Sequence, residues 1–267
     1  MRSSIADYEV VEMLAGPPDG PRRFLCRAPG RLAWSDPVEV IEVPVDDSRF
    51  APWSDWVARV AAAGGEDLRV LLEAGPDPDG WGGFVSCEAA PGGSLGHPEL
   101  DAGAAPPDPV DAVAGAARGA HALHEVGLAH GSISPSSIFL TARRPVLGPP
   151  RLDAPDGLAI GAAVWEDLQC VDPDLLRGEA PSRSSDIWSL GATLHMALTG
   201  RALYPGLAED QAVTAVQRVM FTRPEIDPSI DEGLRRLIAR CLEPDPSLRP
   251  ENADEVAREL ATRQVRP

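Results

Sequence analysis

Three histidines and four cysteines are the residues of this sequence best suited to hold a metal or act as nucleophiles. His121, His124 and His130 fall close together, two late in a predicted helix and the third in the loop after it. A zinc hydrolase would need H-E-x-x-H on one helix face. Here His124-Glu125 is followed by Val126-Gly127-Leu128, so the second ligand is missing. Cys26, Cys87, Cys170 and Cys241 are far apart and form no C-x-x-C pair. That argues against zinc and a disulfide framework, and for the reduced thiols of a cytoplasm. All 24 basic residues are arginine, and asparagine occurs only at Asn252. A bias toward G+C-rich codons accounts for the general arginine preference, but it does not supply a lysine where chemistry needs one.

Charge narrows the function further. The net charge is −17 and the isoelectric point about 4.6. The acidic excess is spread along the chain, so nothing offers a basic run to neutralise phosphates, and nucleic-acid binding is not expected. The same field disfavours anionic membranes, and a solvated acidic surface is its simplest meaning. No apolar run reaches the length of a membrane span, and MRSSIADYEVVEMLAG lacks the apolar stretch of a signal peptide. A chain of 267 residues, 43% hydrophobic, has room for one large domain or two lobes.

The elements that would position a site change character along the chain. YEVVEM, FLCRA, VEVIEV, DLRVLLEA and GFVSCEA read as strands, separated by Pro- and Gly-rich turns such as GPPDGP and GPDPDGWGG. WSDWVARVAAAGG carries Trp53, Trp56, Val57 and Val60 at helical spacing and ends at Gly64-Gly65, a helix inserted among the strands. Beyond the spacer DAGAAPPDP the pattern is helical. Helices are expected over Val110–His124, over Asp186–Leu198 with Ile187, Leu190, Leu194 and Leu198 on one face, around Leu234–Leu242, and over Ala253–Ala261 with Asn252 as cap.

Four stretches, in this order, resemble the eukaryotic-type Ser/Thr protein kinase family in its bacterial form. FVSCEAAPGGSL resembles the hinge strand, ALHEVGLAHGSISPSSIFL a long helix running into the catalytic loop H-R-D-L-K-P-x-N, SDIWSLGATLHMALTG the central helix, and CLEPDPSLRP the turn before the last helix. The resemblance covers Tyr8 to about Ala261. It implies an α+β, protein-kinase-like bilobal fold in one domain, 1–267, with a β-rich lobe over about 1–88, a hinge over 89–93 and a helical lobe over 94–267.

The resemblance also says which residues should carry phosphoryl transfer, and most are replaced. The phosphate-covering G-x-G-x-x-G loop matches Ala15-Gly16-Pro17-Pro18-Asp19-Gly20, where proline has no N–H to offer. The lysine of V-A-I-K falls on Ile41, and its glutamate partner on Trp56, with Asp55 adjacent. Ser132 stands where the general base should be, Ser134 where a lysine should be, and Ser137 where an asparagine holds magnesium. The DFG triplet matches Pro155-Asp156-Gly157, placing Pro155 at the metal-binding aspartate; a one-residue slip would restore Asp156, and Asp153 is also near. Losing a general base alone costs ~10²- to 10⁴-fold. Losing the charge-neutralising lysine and both metal ligands removes the larger electrostatic contribution.

The positions with architectural roles in the family remain. Asp186 matches the aspartate that braces the catalytic loop containing His130. Arg249 matches the arginine that pairs with the glutamate of A-P-E, here Asp172-Pro173-Asp174, so Asp174 is its expected partner. An apolar Ile41–Trp56 contact is expected in place of the ion pair, plugging part of the nucleotide pocket. The other tryptophans suit core packing and turn anchoring. The stretch from Gly157 to Pro173 holds no Ser, Thr or Tyr, so the family's usual phosphorylation switch has no acceptor there. The expectation is a cytoplasmic pseudokinase with no cofactor, no metal and no bound ATP, which binds a protein partner as a regulatory module. The alternative is a degenerate kinase with weak nucleotide binding or slow, atypical transfer.

Overall fold

The computed structural model of the chain describes residues 3–15, 21–34, 36–78, 80, 82–99, 105–152, 168–207 and 212–262. Strands β1 (Ser4–Ile5), β2 (Tyr8–Ala15), β3 (Arg22–Arg27), β4 (Val38–Val43), β5 (Leu71–Pro76) and β6 (Gly83–Glu88) form one sheet in the order β1-β2-β3-β4-β6-β5, each pair antiparallel. Helix α1 (Asp47–Ala63) connects β4 to β5.

The sheet is covered on both faces, and β4 shows why its sequence looks so apolar. All six of its residues are buried. Side chains alternate across a strand, so Val38 and Val40 join Ile5, Tyr8, Phe24, Cys26 and Phe84 on one face. Ile41 and Val43 join Trp53, Val57, Val85, Cys87 and Leu152 on the other. The same alternation puts Glu39 on the Ile41 face and Glu42 on the opposite one, where Arg22 lies 2.8 Å away.

Helix α1 begins earlier than the tryptophan pattern implies. The Asp46 side chain accepts from the Arg49 N–H and starts it, Pro52 lies inside it, and Gly64 ends it at φ 56°. The run DLRVLLEA is only partly a strand. Sheet pairing starts at Leu71, and the preceding residues leave the sheet for a hairpin of β7 (Ile138–Leu140) and β8 (Pro145–Leu147): the Arg69 N–H donates to the Leu147 carbonyl at 2.8 Å. That departure brings Arg69 under the sheet.

The remainder is helical. α2 (Pro109–Glu125), α3 (Pro173–Leu176), α4 (Arg183–Thr199), α5 (Ala212–Phe221), α6 (Glu232–Cys241) and α7 (Ala253–Ala261) follow in order. α2 buries an alanine-rich surface, so neighbours approach it closely. α4 is buried along most of its length; a Ser182–Ser185 capping box starts it and Gly200, at φ 63°, ends it. The expected α4 face is present, with Ile187, Leu190 and Leu194 fully buried and Leu198 packed at the edge of the core. The Asn252 side chain accepts from the Glu255 N–H at 2.9 Å, and the Glu255 carboxylate accepts from the Glu251 N–H. Among the described residues no helix is long and apolar enough to cross a membrane.

Candidate functional site

A cavity of about 330 Å³ lies between the sheet and the loop before β7. Arg23 and Ile41 line it from the sheet, and Arg69 from the segment leaving it. Ser132, Ser134, Ser136, Ser137 and Phe139 line it from the other side, with Arg151 and Leu152 beyond. None of the described lining residues is Asp, Glu or Lys.

Asp186, at the start of α4, organises the loop. It is fully buried and accepts the His130 N–H on Oδ2 and the Gly131 N–H on Oδ1, each at 2.7 Å, while Oδ2 also lies 2.8 Å from His124 Nε2. A carboxylate serves here because two backbone N–H groups and a ring nitrogen converge on two oxygens. The three histidines gather no metal site: His124 meets Asp186 by its ring, His130 by its backbone. Among the described residues no group of three His, Cys, Asp or Glu side chains is placed to hold a metal.

Ser137 is spent on the shape of the loop. Ser137 Oγ donates to the Ser134 carbonyl and accepts the Ser134 N–H, both at 2.9 Å, closing the single turn Pro135–Ser137. Ser132 N–H donates to His130 Nδ1 at 3.3 Å, and Ser132 Oγ sits 3.4 Å from the same nitrogen, too long for a strong O–H···N bond. His130 Nε2 faces the Gly148 carbonyl at 3.2 Å, so the neutral tautomer carries its proton there. Burial holds the imidazole below its ordinary pKa against the pull of Asp186. His130 Nδ1 already accepts the Ser132 N–H, which leaves it a weak base for Ser132 Oγ at that distance.

Ile41 is in the cavity wall and packs in the apolar cluster with Val85, Cys87 and Leu152; Trp56, half-buried, packs against that cluster. Trp56 is not among the lining residues, so this tryptophan does not plug the cavity. Arg69 is part of the wall. Its side chain is wholly buried; Nε donates to the Glu88 carbonyl at 2.9 Å, Nη2 to Glu39 Oε2 at 2.6 Å, and the guanidinium carbon lies 4.3 Å from the centre of the Phe139 ring. Arg23, cross-strand from Ile41, reaches the other oxygen of Glu39 at 2.5 Å. Burial alone would raise the Glu39 carboxyl; Arg69 and Arg23 outweigh it and hold the group down to about 2. Sequence reading missed this cluster. Its signal was an arginine inside the apolar run DLRVLLEA and a glutamate inside VEVIEV, charges that such runs tolerate only as partners.

One expected pairing is corrected. Arg249 binds Asp172, not Asp174: Nη1 lies 2.5 Å from Asp172 Oδ2, and both side chains are buried. Asp174 instead pairs with Arg177 at 2.5 Å, half in solvent. Asp172 is the N-cap of α3 and accepts the Asp174 N–H, which turns its carboxylate inward, whereas Asp174 lies in the first turn. Pro155, Asp153 and Asp156 lie outside the described residues, as does the glycine- and proline-rich stretch 16–20.

No protein-family model matches the sequence. Among curated proteins it is 29% identical over 257 residues to "Probable serine/threonine-protein kinase PkwA" of Thermomonospora curvata, covering 95% of this chain and 34% of that protein. It is 29% identical over 197 residues to "Serine/threonine-protein kinases PknA" of Corynebacterium glutamicum, covering 72% of this chain and 41% of that one. The chain is a relative of the bacterial eukaryotic-type Ser/Thr protein kinases. A shorter alignment, 32% over 157 residues, covers 54% of this chain and 14% of "Serine/threonine-protein kinase PknK" of Mycobacterium tuberculosis. This kinase-like chain therefore spans well under half the length of each of these relatives. In it, the loop His130–Ser137 and the strand holding Ile41 face one another across the cavity, as the family's catalytic loop and lysine strand are expected to, but with different side chains.

Proposed function

We propose that this chain is a catalytically inactive, protein-kinase-like domain, a pseudokinase that serves as a protein-binding or regulatory module. The composition of the cavity wall carries this reading. Phosphoryl transfer needs carboxylates to hold magnesium and a compact cation to neutralise phosphate charge. The described wall holds Ile41, Ser132 and Ser137, the residues the resemblance aligns with those groups, and Ser137 is already bonded to Ser134 on both sides. The retained bracing of the loop by Asp186 and of α3 by Arg249 supports a fold kept for binding rather than turnover.

The names of the relatives favour a second reading, a degenerate kinase using Asp153 or Asp156 and one metal. Thermal shift with ATP, with and without Mg²⁺ or Mn²⁺, followed by labelled phosphate transfer, separates the two. A ligand that binds only the folded state at a hundredfold excess over its Kd adds ~2.7 kcal/mol of stability. No shift at millimolar ATP is expected; a metal-dependent shift with transfer would overturn the proposal.

A further inference from the structure

We propose that Arg69 is an internal ligand, filling a slot whose chemistry selects a planar cation with donors in its plane, an amidinium or guanidinium. Three walls define the slot. The Glu39 carboxylate supplies negative charge, and Arg69 Nη2 reaches it at 2.6 Å. The Glu88 carbonyl, at the end of β6, accepts from Nε at 2.9 Å. Phe139 supplies an aromatic face 4.3 Å from the guanidinium carbon. A flat, weakly hydrated cation suits a carboxylate, a carbonyl and a ring face together, and an ammonium suits them poorly.

The slot is built rather than incidental. The Phe139 ring is pressed onto Gly148, where an added Cβ would collide with the ring edge, so the aromatic wall is fixed. Glu39 is held by Arg23, whose Nε donates to Oε1 at 2.5 Å and whose Nη2 donates to Oε2 at 3.1 Å, and on β4 by pairing with β3 and β6, while Arg69 makes the shorter contact to Oε2. Arg69 Nη1, although buried, has no hydrogen-bond partner among the described residues, and Arg69 borders the open cavity. Removing the side chain beyond Cβ would therefore join the slot to that cavity and give a small ligand a route in.

The inference goes beyond the functional reading and stands apart from it. The test compares wild type, Arg69→Ala and Arg69→Ala/Glu39→Gln by thermal shift with methylguanidinium, benzamidine, adenosine and, as salt control, tetramethylammonium. Methylguanidinium or benzamidine is expected to raise the melting temperature of Arg69→Ala by several degrees at millimolar concentration. Neither should move wild type, whose slot is full, or the double variant, whose slot has lost its charge. Should Arg69→Ala fail to fold, refolding it with methylguanidinium reads the same property: native near-ultraviolet circular dichroism should return with methylguanidinium and not with tetramethylammonium. An equal shift in wild type, no response in Arg69→Ala by either route, or a preference for adenosine over both amidinium probes would overturn the proposal. Labelled phosphate transfer by wild type would end the functional reading while leaving this result in place.

Discussion

Arg249 Nη1 lies 2.5 Å from Asp172 Oδ2 with both side chains buried, while Asp174, two residues on, faces Arg177 at the surface. The two aspartates should therefore differ sharply on substitution. Asp172→Ala strands a buried guanidinium and should cost about 3–5 kcal/mol. Asp174→Ala breaks an exposed pair and should cost less than ~1 kcal/mol. Urea unfolding of the two variants makes the comparison, and equal losses would contradict the assignment.

Asp186 should control the order of the His130–Gly131 backbone. In Asp186→Asn the amide NH₂ group must face a donor, leaving at least one buried N–H of His130 or Gly131 unpaired, at about 1–3 kcal/mol. Hydrogen exchange at these two amides should accelerate more than at the amides of α6. Uniform acceleration across the molecule would instead indicate a global effect.

Acid should weaken the Glu39 cluster within a definite window. The folded carboxyl sits at about 2, below its ordinary 4.5. Its contribution is thus fully present above pH 4.5 and lost as pH falls toward 2. Each tenfold difference in proton affinity between the folded and unfolded chains is worth ~1.4 kcal/mol, so a few kcal/mol depend on this one group. The melting temperature of Glu39→Gln should start lower at neutral pH and fall less steeply than wild type between pH 4.5 and 2.

Restoring two family residues should not restore catalysis. Ile41→Lys with Ser132→Asp supplies a lysine and a base, but Ser137 stays bonded to Ser134 and no carboxylate is added to hold magnesium. Labelled phosphate transfer should stay at background. Ile41 packs in an apolar cluster and lies cross-strand from Arg23, so the new ammonium should also destabilise the fold by a few kcal/mol. Transfer above background would show that the two side chains were the only barrier.

Gly191 of α4 lies tightly against α6. A Cβ there would collide with the Cys241 side chain, which is buried. Gly191→Ala should cost about 1–3 kcal/mol through overpacking, despite alanine's better helix propensity. A neutral or stabilising change in urea unfolding would mean the helices can separate freely.

The sequence by itself determined the strands and helices with strong periodicity, the order of the family-like motifs and the residue types at Ile41, Ser132 and Ser137. These are local properties, written in spacing and in side-chain chemistry. Helix α7 carried its own boundary, because Asn252 caps it from an adjacent position. The β7–β8 hairpin was not legible, because strands of three residues are too short to show a period. The choice between Asp172 and Asp174 as partner of Arg249 was decided only by tertiary structure, since it depends on which carboxylate the cap of α3 turns inward. Arg69 was settled in the same way. Its partners Glu39, Glu88 and Phe139 come from β4, β6 and β7, and only the folded chain brings them around one guanidinium. A buried charge is legible in sequence as an oddity; its meaning lies in the partners that make burial tolerable.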